Sequence, residues 1–215
     1  MLTSSCKQTS YKVDNMEDPL SVLRRGGCVV YPTSTQPALG CIPESYALDL
    51  LYSLKCRERS QPVSLGVANL EQAREIAFVP KEIEDLLDFF PKGSITVVLD
   101  SRKNLDERLG GNRVAIRVVS HDVAVSLIED IGPLTATSAN LSGSAPILDT
   151  SIAAQSLSTS DNRVPHVSGI CGGDTPSTLI SWQSSTGSPD ATGTKVLREG
   201  LITEEEVFDW LKSQI

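Results

Sequence analysis

Apolar positions along this chain follow two spacings in turn, one suited to buried strands and one to half-buried helices. "MEDPLSVLRRGG", residues 16–27, predicts a helix that stops at Gly26-Gly27. "CVVYP", 28–32, is a short apolar run closed by proline and predicts a buried strand. "TSTQPALGC", 33–41, predicts a loop. In the helix predicted for 43–55, Leu48, Leu51 and Tyr52 form a stripe at i, i+3, i+4. A strand is expected at 62–68. Asn69 is placed to cap a helix over 70–76, and Pro80 to open another over 80–90.

"SITVVLD" and "RVAIRVV" predict strands at 94–100 and 113–119, joined by a loop. A helix follows at 121–131, a strand at 133–138 ("PLTATS") and a weaker helix at 149–157. The last strands are expected at 163–169, 177–182 and 194–200, with "QSSTGSPDATG" as a loose loop before the final one. Thr203 and Glu206 form a capping-box pattern ahead of an apolar helix. Strands and helices interleave without a composition break or repeat. The expectation is one three-layer α/β domain over 16–215, with a twisted mixed sheet flanked by helices, behind a poorly ordered polar segment at 1–15.

Charge and composition narrow the function. The 215 residues carry a net charge of −8, with 5% aromatics. No basic run or base-stacking platform is visible, so nucleic acid would be bound weakly at best. A few clustered cations still suffice for a small anion. The five cysteines are scattered without a C-x-x-C pair, the pattern of free thiols in a reducing cytosol. The N-terminus lacks a signal-type apolar stretch, and nothing approaches the roughly 18 apolar residues of a membrane span. A cytoplasmic location is expected, with no membrane association.

Phosphate-loop, dinucleotide and zinc-protease motifs are absent. His121 and His166, the two histidines, stand at a helix start and in an expected strand and read as structural; no side-chain metal site is expected. The suggestive residues lie beside strand and helix ends. Lys55 and Arg57, two apart after a helix, could face the same way in extended chain and clamp an anion. A solvated helix end would look the same. Thr33, Ser34 and Thr35 follow the first strand. Thr137, Ser138 and Asn140 occupy the small-residue stretch "TATSANLSG". Ser177 and Thr178 open one strand and Arg198 ends another. Together they describe a cavity for a highly charged ligand.

The set "YPTSTQPALG", "LYSLKCRERSQP", "KGSITVVL", "VAIRVVSHDVAVSLI", "TATSANLSG", "PSTLISW" and "VLREG" resembles the YrdC-like family of threonylcarbamoyl-AMP synthases, over roughly residues 18–202. Lys-x-Arg and a later Ser-x-Asn, the most specific signature, stand as Lys55-Cys56-Arg57 and Ser138-Ala139-Asn140. The resemblance implies a nucleotidyltransferase. L-threonine takes up bicarbonate to give a carbamate, which attacks the α-phosphorus of ATP and releases pyrophosphate. The threonylcarbamoyl-adenylate then passes to downstream tRNA-modifying proteins. Magnesium would accompany ATP, held by phosphate oxygens and water.

By the same resemblance Lys55 and Arg57 are the catalytic clamp and, with Ser138, Asn140 and Arg198, the ATP site. Thr33, Arg117 and Ser177 match threonine-binding positions. The first loop departs from the family pattern: Ser34 stands for an acid, Pro37 for an aromatic residue and Ala38 for glycine. Two alternatives remain at this level. One is a homologue that binds nucleotide or RNA without synthase activity. The other is a carbamoyl-transferring relative of the kind found in hydrogenase-maturation proteins.

Overall fold

The computed structural model describes residues 17–183 and 193–214. The segment 1–15 and most of the expected loop before the last strand therefore lie outside the described residues. Asp18 accepts the Ser21 amide at 3.0 Å and caps helix α1 (Pro19–Arg24), which proline opens. Strands β1 (Val29–Tyr31) and β2 (Ala38–Gly40) pair antiparallel with Val30 opposite Leu39. The expected 33–41 loop is thus corrected: after the turn at 33–37, three buried residues return as a strand. They were too few to show a period of their own.

Helix α2 (Ser45–Lys55) leads to β3 (Leu65–Val67) and α3 (Leu70–Ile76), where Asn69 caps as expected by accepting the Gln72 amide at 2.9 Å. Then come α4 (Lys81–Phe89), β4 (Ile95–Asp100), a 3-10 turn at Glu107–Leu109, β5 (Arg113–Val118) and α5 (Asp122–Ile131). The run "PLTATS" is not one strand. It divides into β6 (Leu134–Thr135) and β7 (Thr137–Ser138), which belong to different sheets. Helix α6 (Thr150–Leu157), β8 (Thr178–Ser181), β9 (Lys195–Arg198) and α7 (Glu204–Ser213), with its Thr203–Glu206 capping box, complete the order.

The strand expected at 163–169 is also corrected. Only a single parallel bridge forms there, between Val30 and His166. Pro165 accepts the Val30 amide at 2.9 Å but has no amide of its own to extend a ladder.

A mixed six-stranded sheet runs β6-β3-β5-β4-β8-β9, with β3/β5 and β4/β8 parallel. The expected α/β class and mixed sheet hold. A second, three-stranded sheet, β1-β2-β7, stands beside the first. In β1, alternate residues serve different cores: Val30 joins the larger one, while Val29 and Tyr31 face α1 and α5.

The same alternation shapes the large sheet. Leu65 and Val67, Ile95 and Val97, Val114 and Ile116, and Ile180 point into the larger core. Ser64, Thr96, Ala115, Arg117 and Leu179 occupy the intervening positions, so the opposite face is small and polar. Buried Arg108 orders one border of that face. It pairs with Asp106 and Asp49 at 2.7 and 2.6 Å, while its carbonyl takes the Val63 amide at 2.8 Å. No helix among the described residues is long and apolar enough to cross a membrane.

Candidate active site

The polar face of the large sheet is the floor of a solvent-open cleft of about 200 Å³. Its walls are residues 35–38, 62–64, 136–138 and 176–177, from loops at the strand ends. Every charged residue of the lining is an arginine: Arg57, Arg117 and Arg198. Among the described residues, none of these three forms an ion pair with a carboxylate. Arg117 is buried without a carboxylate partner, while Arg57 is half-buried and Arg198 exposed; together they favour an anionic ligand.

Arg117 is held most firmly. It is 5% exposed and projects from β5. Its Nε donates to the Gly93 carbonyl at 3.0 Å, and its Nη atoms reach Thr35 Oγ1 at 2.8 Å, Ser34 Oγ at 3.2 Å and Thr33 Oγ1 at 3.4 Å. All these acceptors are neutral. Burial pulls its pKa down to about 10, with Arg198 adding to the effect, so it stays cationic at neutral pH. Gly93 has φ +79°, and a Cβ there would lie 2.5 Å from Ser34 Oγ. Any side chain there would strain the backbone and turn the Ser34 hydroxyl out of its place beside Arg117.

That loop is braced internally. Thr33 Oγ1 donates to the Gln36 carbonyl at 2.7 Å and accepts the Thr35 amide at 3.1 Å. Thr33 therefore stands behind the lining while Thr35 faces the cleft. A segment from 169 to 174 crosses this loop: Gly173 N–H donates to the Thr35 carbonyl at 3.1 Å, and the Gln36 amide donates to the Asp174 carbonyl.

Lys55 and Arg57 do not act as an extended pair. Lys55 ends α2, and Cys56 turns the chain at φ 49°, a left-handed helix cap. The two cations consequently diverge. Arg57 lines the cleft, steadied by the Gln61 and Pro62 carbonyls at 2.9 and 3.1 Å. Lys55 is 1% exposed and donates to the Ser138 and Asn140 carbonyls at 2.5 and 2.6 Å. Burial, helped by nearby Arg57, lowers its pKa to about 8. Lys55 thus binds the 138–140 loop to α2 from behind.

Within the 138–140 loop, Ser138 Oγ donates to Asn140 Oδ1 at 2.6 Å, and Asn140 Nδ2 donates to the Ser144 carbonyl at 2.6 Å. Ser138 lines the cleft; Asn140 stands behind it. On the far side Ser177 Oγ shares a 2.7 Å hydrogen bond with Thr96 Oγ1, and Arg198 donates to the Ser177 carbonyl at 2.6 Å. Burial and the neighbouring Arg57 lower the Arg198 pKa.

Arg198 reaches the cleft through a β-bulge. Arg198 pairs with Leu179, Val196 with Ile180 and Lys195 with Ser181, leaving Leu197 as an extra residue in β9. Without it, Val196 and Arg198 would share a face. With it, Val196 packs on the core and Arg198 sits beside Leu179 on the cleft face.

Five of the eight residues expected from sequence line the cleft (Arg57, Ser138, Arg117, Ser177 and Arg198), while Lys55, Thr33 and Asn140 support it. Thr137, read with the 137–140 stretch, lines the cleft as well; Thr96 and Ser64 were not singled out as site residues, yet they line it too. Their signal was a small hydroxyl at the non-core parity of a buried strand. Pro37 and Ala38 also line the cleft. Among the described residues no cluster of histidine, cysteine or acid side chains is placed to hold a metal.

A family model of the Sua5/YciO/YrdC type, described as "Telomere recombination", matches residues 21–200. The threonylcarbamoyl-AMP synthase of Vibrio parahaemolyticus is 29% identical over 197 residues, covering 87% of this chain and all of that protein. The crystal structure of P. abyssi Sua5 complexed with L-threonine superposes with a TM-score of 0.76 at 26% identity, covering 88% of this chain but 55% of that one. E. coli YciO gives a TM-score of 0.67 at 26% identity, covering 85% and 87% of the two chains. With the cleft, its strand-end loops and the matched span in agreement, this chain belongs to the Sua5/YciO/YrdC family.

Proposed function

We propose that the chain is a threonylcarbamoyl-AMP synthase, making the adenylate and pyrophosphate from ATP, L-threonine and bicarbonate. The observation that carries this reading is one cleft whose charged residues are all arginines and whose other polar side chains, Gln36 apart, are hydroxyls. The cleft lining holds no histidine, carboxylate or lysine to activate those hydroxyls as nucleophiles. It can gather several anionic groups and neutralise charge as the carbamate approaches phosphorus.

Arg57 and Arg198, with Ser138, would hold the nucleotide phosphates. Arg117, Ser177 and the first-loop hydroxyls would hold the amino acid. Lys55, Thr33 and Asn140 would keep these groups in place. Magnesium would ride on the ATP phosphates, which supply the oxygens that the cleft's own side chains do not. The product would go to downstream tRNA-modifying proteins in the cytoplasm, with tRNA itself bound weakly.

The test is pyrophosphate release. It should require L-threonine and bicarbonate together, and serine should be about 10-fold or more poorer because a methyl contact is missing. ATP-induced stabilisation without threonine-dependent release would instead indicate a nucleotide-binding homologue. The absence of both effects would remove the nucleotide site altogether.

A further inference from the structure

We propose that Tyr52 is a positioning residue for the nucleotide half of the cleft: its hydroxyl ties the segment that steadies Arg57 to the buried centre at Arg108. The inference rests on the synthase reading, in which Arg57 meets the ATP phosphates, and adds the residue that sets where that guanidinium stands.

Arg57 has little support of its own. Beyond it the chain runs exposed from Glu58 to Pro62. The two carbonyls that hold the Arg57 guanidinium, Gln61 at 2.9 Å and Pro62 at 3.1 Å, belong to that exposed stretch. Within it the Gln61 amide closes a turn on the Glu58 carbonyl at 3.1 Å, and Arg59 pairs with Asp49 at 2.6 Å. That pair lies in solvent, with side chains 72% and 51% exposed, so it fixes position only weakly. A guanidinium steadied by such a loop alone would move with it.

Tyr52 supplies an anchor from both of its ends. It is 4% exposed and belongs to the last turn of α2. Its carbonyl accepts the Arg57 amide at 3.0 Å, which places the Arg57 backbone just past the left-handed helix cap. Its hydroxyl lies 2.7 Å from the Gln61 carbonyl, the same oxygen that takes Arg57 Nε, and 3.0 Å from the Arg108 carbonyl. A phenol has one proton to give. The Arg108 carbonyl already accepts the Val63 amide at 2.8 Å, so the proton serves Gln61. Arg108 completes the anchor: its guanidinium stands 5.8 Å from the Tyr52 ring centre and is pinned by Asp106 and Asp49. Burial raises the phenol's pKa, against the pull of the Arg57 and Arg108 cations, and the proton stays in place at neutral pH. Arg108, Tyr52, Gln61 and Arg57 thus form a line of contacts from the core to the cleft.

Tyr52→Phe keeps the ring and removes only the hydroxyl. ATP binding to the full chain with magnesium, measured by calorimetry, should weaken about 3–10-fold, the worth of one ordinary hydrogen bond. In turnover the KM for ATP should rise by the same factor, while kcat and the KM for threonine stay within about two-fold. Adding Tyr52→Phe to Arg57→Ala should cost nothing further, because a residue that acts through Arg57 then has nothing left to position. Arg59→Ala, which removes only the exposed pair, should leave ATP binding unchanged. Unaltered binding in Tyr52→Phe overturns the proposal. So does a loss that adds in full to that of Arg57→Ala, the mark of a residue that only supports the fold, or an equal loss in Arg59→Ala. Pyrophosphate release that ignores threonine would sink the synthase reading instead, and ATP binding would still decide the Tyr52 link.

Discussion

Lys55 Nζ and the Asn140 carbonyl, 85 residues apart in sequence, are joined by a 2.6 Å hydrogen bond. A second bond goes to the Ser138 carbonyl. Lys55→Met would leave both oxygens without this donor in a buried place. The expected cost is about 2–4 kcal/mol, read as a lower urea midpoint, since bonds to a charged donor contribute more than neutral ones and orphaned acceptors add a penalty.

The depressed pKa of Lys55 gives this pair a pH signature. The unfolded chain holds the lysine proton up to about pH 10.5 and the folded chain to about pH 8. Between these values the unfolded state binds more protons, so this group's contribution to stability rises with pH. Denaturation at pH 7.5 and 9.5 should show the gap between native and Lys55→Met widening, by at most about 1.4 kcal/mol per pH unit.

Arg57→Ala should behave differently. Its guanidinium is half-exposed and touches only two carbonyls. Stability should change by less than about 1 kcal/mol. The rise in melting temperature on adding ATP with magnesium should fall sharply, because one of the three cleft cations is lost. An unchanged shift would remove Arg57 from the nucleotide site.

Cys56 offers a gain. It is exposed and the sole non-glycine residue with positive φ among those described. Cys56→Gly should stabilise the fold by about 0.5–1 kcal/mol by relieving the left-handed cap, and ATP binding should persist. A loss of stability would mean the Cys56 side chain makes a compensating contact.

The bulge in β9 can be separated from the chemistry of its residues. Leu197 is 54% exposed, so Leu197→Ala should leave ATP binding intact. Deleting Leu197 removes the extra residue and leaves Val196 opposite Ile180 and Arg198 opposite Leu179 in plain alternation. ATP-induced stabilisation should therefore survive the deletion, whereas Arg198→Ala should reduce it. A deletion variant that behaves like Arg198→Ala would show that the bulge sets more than the facing of Arg198.

Much of this was legible in sequence where one period ran uninterrupted. Asn69 and Thr203 announced their helices, and the strands carrying Ile95 and Ile116 showed as apolar runs. Residues 134–138 were not legible as two strands, because alternation continues while the hydrogen-bonding partners change from one sheet to another. Thr96 was hidden because threonine is an ordinary strand residue. The Lys55–Arg57 spacing pointed to one shared face, and the left-handed turn at Cys56 gave the two side chains separate tasks. The Arg198 bulge depends on pairing with a distant strand, which no local pattern records.

The small sheet places both ligand loops on one foundation. Leu39 pairs with Val30 on one side and Thr137 on the other, while Tyr31 OH and the Cys41 amide both bond Thr135, at 2.9 Å each. The 33–37 turn and the 138–144 loop are consequently outgrowths of the same short ribbon. Groups mounted on one stiff ribbon drift together, so their separation varies less than either one's position relative to the helices around it. A carbamate and an α-phosphorus held from these two loops would keep their approach distance through the domain's thermal breathing, without a lid closing over them.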